Sequence, residues 1–292
     1  MTGGLALAVA MAAVPLGAQQ PGAQQAQQPG ALGPGDPITA GRAAMAAKAR
    51  AAIEVAQAKP TPRATDGKVD LSGLWTAPVG MGWTSSKEGG NIVFNFPDYG
   101  PGGRRPMPPD GPKYKPDLVA KVEYNDVNQP KTDKVFQCGR AGVPRIGAPQ
   151  QIIQTPREVL LMYVDVAGET FRVVPTDGRT FRDEIDASYN GDSIGRWEGD
   201  TLVIESRNFT DETWFGERGY FHSDKMTVVE RLTRKGDTLS WNATVTDPEV
   251  LTEPWTTPTR MQVLTTTLLE EPPPCTDIVA DHLVNTDNHG QR

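Results

Sequence analysis

Two stretches of this chain carry the same turn. Residues 192–207 read Asp-Ser-Ile-Gly-Arg-Trp-Glu-Gly-Asp-Thr-Leu-Val-Ile-Glu-Ser-Arg, and residues 235–241 repeat the Gly-Asp-Thr-Leu run within Lys-Gly-Asp-Thr-Leu-Ser-Trp. Gly199 and Gly236 supply the positive φ that a tight hairpin demands. Trp197, Leu202 and Ile204 alternate with polar neighbours at the two-residue period of a strand buried on one face. Residues 226–232 and 241–245 alternate in the same way about the second turn. Two such hairpins in series predict an antiparallel meander.

The rest of the chain from residue 134 extends the pattern. Apolar runs at 135–138, 151–155, 159–164, 170–174 and 260–269 are separated by brief Gly, Pro and Asp turns, which brings the tally to about nine to eleven strands. Sequential hairpins with almost no helix among them predict a mainly β domain over 70–276, an antiparallel up-and-down barrel or strongly curled sheet. Closure of such a sheet removes its exposed edges.

Ahead of the domain the composition changes three times. Residues 5–16 are apolar but too short to span a bilayer, and small residues at 17–18 follow them. This reads as a signal peptide over 1–18, with no basic residue before it, and predicts a periplasmic or secreted protein without a transmembrane segment. Residues 19–38 are a Gln/Pro/Gly/Ala linker. Residues 39–60 are an Ala-rich helix with few large apolar residues, read as a spacer ahead of the alternative that it packs through Met45, Ile53 and Val55. Within the domain, residues 78–117 read as a long Pro/Gly-rich loop, either a lid, binding loop or ordered wrap or simply a poorly ordered segment.

Charge and composition exclude several classes of function. A net charge of −7 without a basic run argues against nucleic acid as a partner, since phosphate binding needs a cationic stripe. No Gly-rich nucleotide loop or nucleophile elbow is present, and His222, His282 and His289 lack metal-ligand spacing, so neither cofactor nor metal is expected. Cys138 and Cys275 read as a disulfide in an exported chain, with two buried thiols as the alternative.

Several side chains carry potential chemistry. His222 stands beside Ser223 and Asp224 before a strand, where an imidazole serves as acid or base if it faces a cavity; a hydrogen-bonded turn is the competing reading. Arg145, Arg172, Arg179 and Arg196 are candidates for gripping a carboxylate, against simple pairing with the abundant local Asp and Glu. Trp197, Trp214 and Tyr220 are candidates for lining an apolar site, against core packing.

Leu71-Ser-Gly-Leu-Trp75, Gly142-Val-Pro-Arg145, Gln151-Ile-Ile-Gln-Thr-Pro156, Asp177-Gly-Arg179 and above all Gly195-Arg-Trp-Glu-Gly-Asp-Thr-Leu202 together resemble a family of exported bacterial proteins of unknown function. The resemblance spans residues 70–276 and implies a lipocalin-like barrel, a matter of fold that carries no activity. Where that family tends to have His after Asp-Gly-Arg, this chain has Thr180. Three functions fit these observations. The first is an exported barrel that binds a small apolar or aromatic molecule in its interior. The second is a cofactor-independent lyase, isomerase or hydrolase using His222 with Ser223, and Arg196 to hold an anion. The third is an envelope interaction protein.

Overall fold

The computed structural model describes residues 37–78, 84–85, 92–93, 110–165, 168–271 and 275. Residues 1–18, read as a signal peptide, residues 19–36 of the linker, most of the Pro/Gly-rich loop and residues 277–292 lie outside them. The strands are β1 (Gly73–Thr76), β2 (Thr84–Ser85), β3 (Ile92–Val93), β4 (Gln151–Gln154), β5 (Glu158–Asp165), β6 (Gly168–Pro175), β7 (Asp192–Glu198), β8 (Thr201–Arg207), β9 (Thr227–Lys235), β10 (Thr238–Thr246), β11 (Trp255–Thr256) and β12 (Arg260–Thr265). The helices are α1 (Pro37–Gln57), α2 (Val119–Val127) and α3 (Gln129–Thr132), with single 3-10 turns at Pro116–Leu118 and Lys134–Gln137.

Nine strands form one antiparallel sheet in the order β6-β5-β4-β1-β12-β10-β9-β8-β7, with β11 added to β10 and β2 paired with β3 apart from it. The sheet curls into a nearly closed barrel, as the alternating pattern predicts. An odd number of antiparallel neighbours makes the two terminal strands, β6 and β7, run parallel where they meet. Among the described residues no ladder joins them, and side chains close the seam. Gly195 belongs to this closure, because a Cβ there would lie 2.9 Å from Val174 Cγ1 and 3.0 Å from Thr176 Cγ2.

The two-residue period sorts each strand into an inner and an outer face. Trp75, Ile152, Leu161, Tyr163, Leu202, Ile204, Leu232 and Trp241 fill the interior and are almost completely buried. Each such apolar side chain contributes about 1.5–3 kcal/mol of burial free energy. On the outer face of β4, β5 and β6 the register aligns Ile153 with Leu160 and Leu160 with Val173, and beside them Met162 with Phe171. Ile153, Val173 and Phe171 there are 43%, 42% and 65% exposed.

Both hairpins turn on Gly-Asp with Gly199 at φ 60° and Gly236 at φ 57°, leaving two-residue loops between Glu198 and Thr201 and between Lys235 and Thr238. The segment before β1 straps across these tips and forms the lower rim of the barrel. Lys59 pairs with Asp237 at 2.6 Å and Arg63 with Asp200 at 2.9 Å, while Arg234 donates to the Asp70 and Ser72 carbonyls. Val69 and Leu71 of the strap are fully buried.

The spacer reading of the Ala-rich helix does not hold. Ala49 is fully buried against Ala46, Ile53 and Met261, and the Ala56 carbonyl accepts from Asp237 N at 2.9 Å. Alanines suffice because small side chains let the helix lie close to the sheet. Residues 135–138, read as a strand, instead complete the 3-10 turn Lys134–Gln137 and its C-cap Cys138, after Asp133, whose carboxylate accepts from Val135 N. Cys138 and Cys275 are bonded.

Candidate functional site

The upper rim, where β8 and β10 end and β9 and β12 begin, is covered by the three long connections 110–150, 208–226 and 247–259. Their convergence brings together four of the side chains singled out from sequence: His222, Trp214, Tyr220 and Arg145.

His222 is 3% exposed. Its Nδ1 lies 2.9 Å from the Ser223 carbonyl and its Nε2 lies 3.1 Å from Thr213 Oγ1. A carbonyl only accepts, so Nδ1 carries the proton and Nε2 accepts from the threonine hydroxyl. Burial lowers its pKa below the usual 6.5, with the Ser223 carbonyl and Asp247 opposing the shift. Ser223 uses its N–H and its Oγ on Asp247, at 2.7 and 2.9 Å, and Asp224 pairs with Lys225 at the surface. These three consecutive residues therefore build a turn, and Ser223 Oγ is directed to a carboxylate rather than to the imidazole.

Beside His222 lies an aromatic cap. Tyr114 stacks on Phe215 at 6.2 Å and tilts against Phe221 at 5.2 Å. Tyr220 packs on Phe215 at 5.8 Å and meets Trp255 edge-on at 6.1 Å. Such ring pairs add roughly 0.5–1.5 kcal/mol each beyond the area they bury. Tyr114 Oη donates to the Phe221 carbonyl at 2.6 Å. Tyr220 Oη is buried without a hydrogen-bond partner, and burial raises its pKa to about 12. Trp214 bridges to Phe221 through the backbone and lies 5.7 Å below the Arg145 guanidinium. Arg145 itself is held bidentately by the buried Asp133, at 2.8 and 2.7 Å.

The remaining sequence candidates lie elsewhere. Arg196 is on the outer face of the sheet, bonded to Glu198 and Glu205. Arg179 is at the exposed turn after β6, 2.7 Å from Asp177. Trp197 faces inward at the opposite, lower end under Lys68. Asp183 and Glu184 line an open, polar surface cleft of about 400 Å³ with Arg182, Arg207 and Lys225.

Of the four arginines weighed from sequence, Arg172 alone is wholly interior, and it spans the seam. From β6 it donates to Tyr163 Oη at 3.1 Å, to Ser193 and Ser206 at 3.0 Å each, and pairs with Glu230 of β9 at 2.6 Å. Trp241 Nε1 donates to the other Glu230 oxygen at 3.0 Å. Burial alone would lower the pKa of Arg172, but the Glu230 carboxylate outweighs it and the net shift is upward. This cluster ties β6 to β7, β8 and β9 where backbone bonds do not.

Sequence reasoning missed Arg260. It opens β12 level with Trp241 on the inward face, and its guanidinium carbon lies 5.4 Å from the Trp241 ring centre. A weak signal was present, since Arg260 begins an alternating run whose next same-face residue, Gln262, is buried. Among the described residues no cluster of His, Cys, Asp and Glu could hold a metal ion, and no helix is long and apolar enough to cross a membrane. Compared with protein-family models, with curated proteins and with solved structures, the chain finds no match.

Proposed function

We propose that this protein is an exported barrel that binds a small apolar or aromatic molecule at the upper rim, beneath the cap formed by Tyr114, Phe215, Tyr220, Phe221 and Trp255. The observation that carries this reading is the cap itself. A ring cluster of this size carried on connecting loops, rather than on the strands, offers apolar walls to a ligand without drawing on the ladders of the sheet. The buried Tyr220 Oη, lacking a partner, adds a polar group for orienting a ligand, as an unsatisfied donor costs about 1–3 kcal/mol until it is met. The barrel centre is filled by Trp75, Leu161, Ile204 and Leu232, which favours the rim over the interior. The Cys138–Cys275 disulfide supports an oxidising, exported location.

Native mass spectrometry of the full chain recovered from an exporting cell tests this. The wild type should retain a small molecule that is absent from a Trp255→Ala variant. An empty wild type, with tryptophan fluorescence unmoved by any aromatic compound added, would remove the binding function. A second reading, an interaction protein, draws on the exposed Ile153, Phe171 and Val173 of the outer face, since contiguous apolar surface marks contact sites. Its test is whether Phe171→Ser changes the sedimenting mass of the wild-type protein.

A further inference from the structure

Against the upper connections lies an inward-facing guanidinium that has no ion pair among the described residues. Arg145 is held by Asp133, Arg172 by Glu230, Arg179 by Asp177 and Arg196 by Glu198 and Glu205. The guanidinium of Arg260, half-buried and inward-facing, has no hydrogen bond or ion pair among the described residues. Its contacts are the face of Trp241 and the backbone of Gly147, where a Cβ would collide with Nη1. Gly147 at φ 84° therefore permits the guanidinium to pass beneath residues 144–148. Glu217, on the loop that carries Phe215 and Tyr220, exerts an opposing charge without bonding it. Glu230, bonded to the Trp241 indole N–H, is already met by Arg172.

We infer that Arg260 receives the carboxylate of the ligand, and that the ligand class is aromatic monoacids rather than neutral aromatics. The inference rests on the binding function proposed above and gives it a charge. A guanidinium presents a planar fork of N–H donors matched to a carboxylate, and its bonds to an anion are roughly twice as strong as neutral ones. Trp241 fixes the plane of that fork from one side. The cap supplies apolar walls for the ring. Burial lowers the pKa of Arg260, which agrees with a cation whose charge is poorly compensated until an anion arrives.

The experiment is a fluorescence titration of the full-length, disulfide-bonded protein with 1-naphthoate and, separately, with the isosteric neutral 1-naphthamide. The acid should bind about tenfold more tightly than the amide, the margin of a charge-assisted over a neutral hydrogen bond. Arg260→Gln should erase that preference while leaving amide binding in place, and Arg260→Lys should restore part of it. Equal affinity for acid and amide in the wild type would overturn the role of Arg260 and leave the binding function standing. Binding of neither compound would remove both. The wild-type comparison needs no variant, so a poorly folding Arg260→Gln protein does not prevent the decision.

Discussion

At the scale of single residues the informative groups are those whose partners are buried with them. His222 is neutral in the fold, with both ring nitrogens engaged. Its folded pKa lies below the unfolded 6.5, so the unfolded chain takes up a proton first as pH falls. The stability it contributes is complete above about pH 6.5 and declines as pH drops from there toward the folded pKa. Thermal midpoints followed from about pH 7.5 down to about pH 5 should fall more steeply for the wild type than for His222→Gln; parallel curves would mean that His222 titrates as an ordinary exposed imidazole. Arg172 presents the opposite case of a buried charge already paired. Arg172→Leu leaves the Glu230 carboxyl in the interior without its counter-ion and should cost about 3–5 kcal/mol by denaturant unfolding, whereas Arg172→Met with Glu230→Leu should recover most of that loss. A double variant as unstable as the single would refute the view that the cost is an orphaned charge. The four arginines weighed from sequence could not be separated there, because whether a side chain on β6 meets β9 depends on how the sheet closes.

At the scale of elements the two Gly-Asp hairpins look interchangeable in sequence and differ in the fold. A Cβ on Gly199 meets nothing within 4 Å, while one on Gly236 would collide with the Ala56 carbonyl at the end of α1. Gly199→Ala should therefore cost only the left-handed backbone strain, about 1–2 kcal/mol. Gly236→Ala should cost clearly more, and should also loosen α1, seen as faster amide exchange over residues 46–57. Equal destabilisation by the two substitutions would mean that α1 does not press on the hairpin. The hairpins themselves were legible, since turn chemistry and a two-residue period are local properties. The docking of α1 was not, because a helix of alanines carries too weak an apolar stripe to announce the face it buries. Residues 135–138 were misread for a related reason: an apolar run this short fits a strand or a helical turn equally well, and Asp133 Oδ1 bonding Val135 N decided it.

For the whole molecule the long-range constraint is the bond between Cys138 and Cys275, which are 137 residues apart. In the chain-entropy picture a loop of that length restricts the unfolded state by about 4–5 kcal/mol. Replacing both cysteines by serine should lower the denaturation midpoint accordingly with little change in the native circular dichroism. An unchanged midpoint would mean that the bond contributes nothing to the folded domain. The sequence by itself determined the long strands of the two hairpins, their inward and outward residues and the tight turns between them, because each is written in a period or turn of a few residues. Only the tertiary structure decided where the sheet closes, which arginine is met by a carboxylate and which rings gather over the rim. Those outcomes depend on residues far apart in the chain, and no local pattern records the register in which distant strands meet.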